Sequence, residues 1–504
     1  MKKSVHTHPL FFTHFRLNIF VFLGFCCLVL LLCSCQEKVT LQTGSEEKIK
    51  GYTDYVNPFI GTAPLTDLEQ IGYTPPEGWR VWAGLVYPGS SLPNAMVQLS
   101  PITAYNTGAG YQYEDTEILG FTHTNKGHWN FCNIPVLPIA GEGASYPYKS
   151  TFSHANENAS PAYYQVYLQD YKVNVELSST LRAGIHRYSF AGENNRMILF
   201  DLGTANNHVD DWRFEKVGLH DIAGYQQTGE QRIYFYANVD APIKSVQKKN
   251  EGKSKGYVLL NLGESENTVI LRIGLSFVST DNAKENLAKE IGSLTFEEVR
   301  QKGKTIWNDL LSKIAVEGGS EKEKTLFYSS LYRTFLWPAL RSDVNGDFRN
   351  EKGAVVNKGH RYYTNPSFWD TYRNKLVLLQ ILDPKLCNDI IKSLVDRGGH
   401  IGFIPTFFHG DHAAAFISGS YRRGIQDFDV QKAYELLLNN AYKQGGTRPY
   451  IKEYITQGFI SDPDIENPHV ETKAKAGVSK TLEYAYDDYA LALLAKELLY
   501  TMRI

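Results

Sequence analysis

The hydrophobic and polar positions of this 504-residue chain change their period a little past its middle. From about residue 51 to residue 290, short runs of alternating or β-branched residues recur, and turn sequences such as Ala-Gly-Glu-Asn-Asn at 191–195 separate them. The predicted strands are Ala162–Leu168, Val173–Leu177, His186–Phe190, Met197–Leu202, Arg232–Ala237, Tyr257–Leu260 and Thr268–Phe277. So many short strands predict a β-sandwich domain over residues 51–290.

Beyond residue 280 the pattern becomes helical. Two charged segments, Asp281–Ser293 and Thr295–Leu311, are typical of helices that join domains, so residues 291–318 are predicted to form a helical linker. The helices predicted after the linker are Lys322–Leu340, Trp369–Ile381, Pro384–Arg397, Asp411–Arg422, Val430–Lys443 and Lys480–Leu498. Their loops are rich in Gly, His, Tyr and Phe, which predicts part of an (α/α) toroid over residues 319–504.

The first 35 residues have the pattern of an export signal. A basic start is followed by the apolar run Leu17–Leu32, which is too short for a comfortable membrane span. The run ends in Leu-Cys-Ser-Cys, which predicts a bacterial lipoprotein whose mature N-terminus is a lipidated Cys35, followed by a polar linker at 36–50. The alternative is an ordinary cleaved signal peptide. Either way the mature protein is expected outside the cytoplasm, at the outer membrane or in the periplasm.

Composition narrows the function further. A formal net charge of −2 and a pI near 6.7 argue against a nucleic-acid partner, which requires a basic face. Only Cys132 and Cys387 follow the predicted signal, too few for a disulfide framework. The chain has 32 tyrosines. Most are expected to pack in strands and cores, but a flat apolar ring with a hydroxyl group also suits a carbohydrate site.

Five segments of the N-terminal half have distinctive sequence motifs. They are Tyr-Val-Asn-Pro-Phe-Ile-Gly-Thr at 55–62, Tyr-Pro-Gly-Ser at 87–90, Met-Val-Gln-Leu-Ser-Pro at 96–101, Gly-Tyr-Gln-Tyr at 110–113 and Gly-Phe-Thr-His-Thr-Asn-Lys-Gly-His-Trp-Asn at 120–130. In their order and their sequences they resemble the N-terminal domain of glycoside hydrolase family 92, the calcium-dependent exo-α-mannosidases. The resemblance extends over residues 52–498.

This resemblance implies a β-sandwich followed by an (α/α)₆ barrel of twelve helices. The chain supplies about half of those helices, so we expect a truncated member with an incomplete toroid, produced by a frameshift or an early stop. An incomplete toroid would expose apolar helix faces along its open edge. The last predicted helix has such a face, formed by Leu482, Tyr486, Tyr489 and Leu493.

The strongest motif of the helical half is Asn-Pro-Ser-Phe-Trp-Asp-Thr-Tyr-Arg at 365–373. It opens a predicted helix with Ser367 as N-cap, which places Trp369, Asp370 and Arg373 at one loop-facing helix end. The resemblance implies that Trp369 and Asp370 reach the subsite for a terminal mannose, where the carboxylate accepts hydrogen bonds from two adjacent hydroxyls. The alternative is an Asp that balances the helix dipole and pairs with Arg373.

Asp411 and His412 start another predicted helix, and the family has a similar element at this place. We expect them to contact the sugar site. A structural histidine is the alternative, and His409 with His412, three residues apart, is a weaker candidate for a metal pair. On the β domain, His128 and Trp129 resemble a platform for the +1 sugar.

The sequence of the loop that holds His128 and Trp129 differs from the Ser-Gly-Thr-Gly sequence that is usual in the family. Linkage preference is therefore open, as is the alternative that this loop only packs on the helical domain. The acidic residues Glu483, Asp487 and Asp488 are predicted to be structural, because Glu483 and Asp487 share a helix face on which their charges repel.

By resemblance the mechanism is inverting, with an acid and a base about 6.5–9.5 Å apart and a Ca²⁺ ion that anchors the sugar hydroxyls. The family's catalytic acid and base, and the calcium ligands, are expected beyond Ile504, so no catalytic residue is assigned and this chain alone is expected to be inactive. The expected partners are mannose-containing glycans and, through the lipid, a membrane. Two alternatives stay open, a non-catalytic mannoside-binding lipoprotein and half of an enzyme completed in trans.

Overall fold

The alternating segments of the N-terminal half form two antiparallel sheets. This computed structural model describes residues 50–75, 81–82, 84–124, 131–141, 145–192, 195–250, 252, 254–264, 267–406, 410–462 and 475–501. From Gly51 onward they belong to one compact unit. The predicted signal at 1–35, with Cys35, lies outside the described residues and stays a prediction.

The strands are numbered in chain order. They are β1 (Pro64–Leu65), β2 (Val81–Trp82), β3 (Ser90–Ser91), β4 (Gln98–Ile102), β5 (Glu117–Ile118), β6 (Gly120–Thr122), β7 (Val136–Ala140), β8 (Ser150–Thr151), β9 (Glu157–Ser160), β10 (Tyr163–Leu168), β11 (Val173–Ser179), β12 (Ala183–Phe190), β13 (Arg196–Phe200), β14 (Asp211–Lys216), β15 (Asp221–Thr228), β16 (Gln231–Val239), β17 (Ser245–Asn250), β18 (Gly256–Gly263), β19 (Thr268–Ser276), β20 (Phe348–Arg349) and β21 (Val355–Val356).

Within the described residues, the larger sheet has the order β14-β15-β16-β19-β12-β11-β10-β9 and the smaller sheet β17-β18-β13-β7-β6-β4-β3. The two sheets pack face to face. Phe200 of β13 stacks on Phe235 of β16, with ring centroids 5.8 Å apart. A Cβ atom at Gly184 of β12 would lie 3.0 Å from the side chain of Leu99 of β4, so the glycine admits that leucine between the sheets. The predicted sandwich is confirmed.

All seven strands predicted from the pattern are present, as β10, β11, β12, β13, β16, β18 and β19. Strands β4, β6 and β7 were not predicted, because they are buried on both faces and contain Pro or Gly in place of a clean alternation. Strand β15 was also missed. It contains Gly224, where a Cβ atom would lie 2.0 Å from the carbonyl oxygen of Arg213, so the close approach of two backbones requires the glycine.

Two buried histidines connect the sheets. The Tyr188 hydroxyl donates to Nδ1 of His186 at 2.9 Å, and Nε2 of His186 lies 3.0 Å from Nε2 of His123. Nδ1 of His123 lies 2.9 Å from the carbonyl oxygen of Ile134 and donates to it. With both rings neutral, every polar atom of this row has a partner. Burial lowers the pKa of His123 to about 4 and that of His186 further, because a proton added to either ring would be a buried charge.

This histidine pair predicts acid sensitivity. Both folded-state pKa values lie below the unfolded value of 6.5, so the unfolded chain binds more protons as the pH falls below 6.5. Through this pair alone, the free energy of unfolding should drop by roughly 3 kcal/mol between pH 6.5 and 5. His186→Leu should be less stable at pH 7, but its free energy of unfolding should fall by roughly 1.5 kcal/mol less than that of the parent chain over that range. Urea unfolding at a series of pH values measures this. The exposed His208→Leu is the control, and equal pH slopes for His186→Leu and the parent chain would contradict the prediction.

The helices are also numbered in chain order. They are α1 (Leu68–Ile71), α2 (Thr280–Glu290), α3 (Phe296–Leu311), α4 (Glu321–Thr334), α5 (Phe368–Thr371), α6 (Lys375–Leu382), α7 (Pro384–Ile401), α8 (Ala413–Arg422), α9 (Val430–Tyr442), α10 (Ile451–Gln457) and α11 (Gly477–Thr501). Helices α2 and α3 pack on the larger sheet, and the later ones form the helical domain. In the described part of the chain, no helix has the length and apolar character needed to cross a membrane.

The predicted helices are confirmed with three differences. The helix predicted over Lys322–Leu340 ends at Thr334, because the segment after it contains Pro338, which has no amide hydrogen to continue the helix. The helix predicted over Trp369–Ile381 is interrupted, because Asn374 leaves the helical conformation and its side chain caps α6 by accepting from the Lys375 amide. The seven-residue α10 was not predicted. The apolar residues predicted on one face of the last helix do share a face of α11, and Leu482 and Tyr489 on it are 67% and 63% exposed. The opposite face, with Tyr484, Asp487, Leu491, Leu494 and Leu498, is buried.

Charged groups join the two domains. Arg182, just before β12, pairs with Glu290 at the end of α2 (2.7 Å) and donates to the carbonyl oxygen of Ser342 (2.8 Å). The buried Asp343 accepts from Ser276 of β19 (2.6 Å) and from Asn286 of α2 (2.7 Å). These contacts fix the first part of the helical domain to the sandwich.

Candidate functional site

Three segments of the helical domain converge at one cluster of polar and aromatic side chains. These are helix α5 with the turn after it, the residues just before α8, and one side of α11. Trp369 of α5 is 37% exposed, and its indole Nε1 donates to Oε1 of Glu483 on α11 at 2.8 Å. The hydrogen bond ties the exposed tryptophan to a helix more than a hundred residues away in the chain.

His412 lies beneath this contact and is fully buried. Its Nδ1 lies 2.9 Å from Oδ1 of Asp487, and its Nε2 lies 3.9 Å from Oε1 of Glu483. The ring of Tyr372 stacks on the imidazole at a centroid distance of 3.8 Å. Burial alone would lower the pKa of His412, but the carboxylates of Asp487 and Glu483 outweigh it and raise the pKa to about 9. At neutral pH the ring is therefore an imidazolium between two carboxylates.

Gly410 creates the room for this ring. It has φ of +67°, and a Cβ atom there would lie 2.5 Å from Nε2 of His412 and 3.0 Å from Oε2 of Glu483. A side chain at position 410 would be strained and would displace the imidazole. The turn also directs the amide of Asp411 to Oδ2 of Asp487 at 2.7 Å, so both oxygens of that carboxylate accept hydrogen bonds from this segment.

An ion network supports the cluster from below, with a buried pair of Asp411 and Arg448 and a partly exposed Asp488. Oδ2 of Asp411 accepts from Nε of Arg448 at 3.1 Å, and Oδ1 accepts from Asn440 at 2.8 Å. The other side of the Arg448 guanidinium donates to Asp488 at 2.6 Å, and Tyr454 donates to the same carboxylate at 3.2 Å. Burial raises the pKa of Asp411, and the positive charge of Arg448 opposes that shift.

The remaining residues of the motif lie at the solvent-exposed edge. The Asp370 carboxylate accepts a hydrogen bond from the hydroxyl of Ser367. Ser367 does stand at the N-cap of α5, but its hydroxyl bonds this carboxylate and makes no capping hydrogen bond to the backbone. The Arg373 guanidinium lies over the ring of Tyr372, 4.5 Å from its centroid. Asp370 and Arg373 are both exposed, so their polar groups are accessible to a ligand.

The structure thus brings together Trp369 and His412 and places Asp411 in the layer beneath them. His128, Trp129 and His409 lie outside the described residues, and their roles stay predictions. Sequence reasoning assigned Glu483 and Asp487 a structural role because their charges would repel. In the folded chain His412 lies between the two carboxylates and neutralises that repulsion.

Other members of the cluster had no signal in the sequence. Arg448 lies in a loop between two helices, and Asn440 looks like an ordinary helical position. Tyr372 belongs to the 365–373 motif, but no role was assigned to it. The one signal that could have been followed is the acidic pair Glu483 and Asp487, four residues apart on one helix face, whose like charges favour a positive partner from another segment.

The cluster is not arranged as a metal site. Its carboxylates face Arg448, His412 and Trp369, which already supply positive charge or hydrogen-bond donors. Within the described ranges, no group of three or more His, Cys, Asp or Glu side chains has metal-binding geometry. These residues therefore do not fit the calcium ion that the resemblance implies. What the exposed edge offers is an aromatic ring, a carboxylate and a guanidinium, which together can stack on a sugar ring and bind its hydroxyl groups.

Comparison with known proteins gives the same family twice. The model of the glycosyl hydrolase family 92 N-terminal domain matches residues 55–284, and the model of the family 92 catalytic domain matches residues 282–503. A curated protein of Arthroderma benhamiae, described as an uncharacterized secreted glycosidase, is 22% identical over 478 residues, which are 82% of this chain and 58% of that protein.

Solved structures of the same family are also similar to this chain. A family GH92 α-mannosidase of Bacteroides thetaiotaomicron is 27% identical with a TM-score of 0.78, over 90% of this chain and 63% of that one. Its complex with mannoimidazole is 26% identical, also with a TM-score of 0.78, over 89% of this chain and 62% of that one. A family GH92 inverting mannosidase of the same species, 23% identical with a TM-score of 0.78 over 90% and 63% of the two chains, shares the fold.

The chain spans between 58% and 63% of the length of these relatives. The predicted arrangement of a sheet-rich N-terminal domain followed by a helical domain is the one these mannosidases have. Because two family models in succession match it from Tyr55 to Arg503, the chain belongs to glycosyl hydrolase family 92, a family of glycosidases.

Proposed function

We propose that the exposed edge formed by Trp369, Asp370 and Arg373 binds a terminal α-linked mannose of a glycan, as part of an exo-acting α-mannosidase. The observation that carries the proposal is the position of Trp369. More than a third of this side chain is exposed, although the Glu483 carboxylate holds its indole nitrogen. Large exposed aromatic side chains that are fixed in one orientation are typical of sugar platforms rather than of cores.

Each group of the edge has a part in the binding. The indole ring would stack on the apolar C–H face of the sugar, which needs no hydrogen-bond donor from the tryptophan. The exposed Asp370 carboxylate would accept from two neighbouring hydroxyls, and a ligand hydroxyl would compete there with the Ser367 hydroxyl. Arg373, lying over Tyr372, would donate to a sugar oxygen at the same edge. A terminal sugar of a glycan suits this geometry because the three binding side chains lie together at one helix end.

The substrate class is supported by the relatives. Two of the similar solved structures are of a family α-mannosidase, one of them with the inhibitor mannoimidazole, and the sequence identity to this chain is 26–27%. Inversion at the anomeric carbon and dependence on calcium are proposed from the family resemblance. No acid, base or calcium ligand is assigned to a described residue. His128 and Trp129 are proposed for the +1 sugar.

Export is proposed from two observations of different kinds. The first 35 residues have the pattern of a lipoprotein signal that ends at Cys35, and the curated relative of Arthroderma benhamiae is described as secreted. A lipid on Cys35 would hold the protein at the cell envelope, where it would meet extracellular glycans. Metabolic labelling with a fatty-acid analogue tests this, and unlabelled protein in the soluble cytoplasmic fraction would contradict it.

Binding tests the sugar site directly. Methyl α-mannoside should bind the chain in calorimetric titration, and Trp369→Ala should weaken the affinity at least about tenfold, which is ~1.4 kcal/mol. Asp370→Asn should have an effect of similar size, because the neutral amide accepts fewer and weaker hydrogen bonds. Tyr442→Ala is the matched control, since this tyrosine is 66% exposed and lies at the end of α9, outside the cluster. Equal losses for Trp369→Ala and Tyr442→Ala would contradict the assignment.

Hydrolysis separates the enzyme from its two alternatives. Release of mannose from 4-nitrophenyl α-mannoside, abolished by EDTA and restored by calcium, with β-mannose as the first anomer seen by NMR, would support an inverting α-mannosidase. Binding without hydrolysis would favour a mannoside-binding protein. Hydrolysis that appears only with a second polypeptide would favour an enzyme completed in trans.

A further inference from the structure

A cavity on the β-sandwich shares no residue with the cluster around Trp369. Its volume is about 380 Å³, and it opens beside strands β17 and β18 at the edge of the smaller sheet. This volume is within the range of small-molecule pockets, which is about 300–1,000 Å³. Neither the family motifs nor the proposed function assigns it a role.

One wall of the cavity is a flat aromatic surface. The ring of Tyr146 stacks on that of Tyr257, with centroids 4.8 Å apart and planes inclined by 11°. Tyr148 meets Tyr257 edge-on at 5.7 Å and 86°, which fixes the orientation of the stacked pair from the other side. Tyr146 is nevertheless 46% exposed. A half-exposed ring held by two others is a rigid platform rather than a core side chain.

The floor of the cavity consists of two glycines in close contact. The amide of Gly203 donates to the carbonyl oxygen of Gly256 at 2.7 Å. A Cβ atom at Gly203 would lie 2.3 Å from the amide nitrogen of Gly256, and one at Gly256 would lie 2.3 Å from the carbonyl oxygen of Lys249. Neither position tolerates a side chain. The backbone therefore forms the bottom of the cavity.

The polar groups around the platform are of two kinds. Lys249 and Lys255 lie on the exposed rim, and both are positively charged. On the inner side the Thr204 hydroxyl donates to Asp201 at 3.0 Å. Burial raises the pKa of Asp201 to about 6, and its carboxylate lies behind Thr204 and outside the cavity lining. The rim thus has an excess of positive charge next to an aromatic face.

We propose that this cavity is a second saccharide site, which takes a hexose bearing a negative charge. The sugar ring would stack on Tyr146, its phosphate or carboxylate group would lie between Lys249 and Lys255, and the Thr204 hydroxyl would bind a ring hydroxyl. An aromatic face gives affinity for the C–H side of a sugar, and two ammonium groups distinguish an anionic sugar from a neutral one. The proposal stands independently of mannose binding at Trp369.

The test uses the full chain and four probes: mannose 6-phosphate, glucuronate, mannose and inorganic phosphate. At least one of the two anionic sugars should bind about tenfold or more tightly than both mannose and phosphate, because only it engages the ring platform and the lysines together. Comparing mannose 6-phosphate with glucuronate shows which anion the site prefers. Equal affinity for phosphate and mannose 6-phosphate would overturn the proposal, since the cavity would then be only an anion patch.

Variants locate the binding. The double variant Lys249→Met with Lys255→Met should lower the affinity for the anionic sugar about tenfold or more. Tyr257→Ala should do the same by releasing Tyr146, whereas Tyr257→Phe should retain binding because the stack remains. Lys289→Met, an exposed lysine on α2, should have no effect. Trp369→Ala should also leave this binding unchanged, and loss of anionic-sugar binding in Trp369→Ala would overturn the proposal. Because the two lysines are exposed, their double variant should fold normally. An unchanged affinity of this variant for the anionic sugar would therefore also overturn the proposal.

Discussion

Replacing Arg448 with methionine is expected to lower the free energy of unfolding by about 3–5 kcal/mol. The Arg448 guanidinium is buried, and it bridges the carboxylates of Asp411 and Asp488. Methionine has a similar length but no charge, so Asp411 would remain in the interior without its cation. Chemical denaturation at pH 7.5 measures the loss. Since Asp411 also underlies the segment of His412, mannoside affinity should fall together with stability.

The control for this prediction is Arg422→Met. Arg422 pairs with Glu497 at 3.3 Å, but the two side chains are 46% and 41% exposed. Water screens such a pair, so the loss should be about 0–1 kcal/mol. Asp411→Asn added to Arg448→Met should recover part of the stability, because it removes the buried charge that Arg448 had compensated. If Arg448→Met costs no more than Arg422→Met, the buried network does not have the importance assigned to it.

The second prediction concerns His412 at alkaline pH. Its pKa is raised from 6.5 to about 9, so the folded chain binds more protons than the unfolded chain between these values. The stabilisation is therefore fully present below pH 6.5 and is lost as the pH rises through 9. The shift corresponds to roughly 3 kcal/mol. The titratable groups beside the ring are Asp487, Glu483 and the edge-on Tyr486 of α11 and the stacked Tyr372.

Urea unfolding between pH 6.5 and 9.5 measures this loss. His412→Gln keeps a donor for Asp487 but cannot hold a proton, so its stability should fall by roughly 3 kcal/mol less than that of the parent chain over this range. His208→Gln is the matched control, because His208 lies 4.0 Å from Asp210 with 78% of its side chain exposed. A parent chain and a His412→Gln variant with parallel pH profiles would show that the imidazolium is not the group that titrates.

Deprotonation of His412 should also change the affinity of the sugar site. The imidazolium lies 3.9 Å from Glu483, which in turn holds the indole of Trp369. Its loss removes the positive charge that lies between Glu483 and Asp487 on one side of α11. Mannoside affinity of the parent chain should therefore decrease over pH 8 to 10, and that of His412→Gln should be lower than the parent's at pH 7 and nearly independent of pH. Tryptophan fluorescence compared between the parent chain and Trp369→Phe would report the accompanying movement of the indole.

Local pattern was enough to predict most elements of the fold. Strand β16 alternates because one of its faces is buried and the other is only partly buried, and helices such as α7 have the period of an amphipathic helix. The elements that escaped prediction are those where tertiary packing overrides local preference. In β4 all five residues are buried, so no alternation exists to be recognised, and α10 is only seven residues long.

By itself, the sequence determined the order of a β-sandwich and a helical domain, the family that its motifs resemble, and the motif around Trp369. Only the tertiary structure decided that Glu483 and Asp487 belong to the same cluster as His412, that Arg448 balances Asp411, and which face of α11 is buried. The physical reason is how far apart along the sequence the interacting residues lie. Periodicity and capping depend on residues three or four positions apart, whereas the charges of this site compensate one another across 37 to 75 positions, which only the packing of the helices brings together.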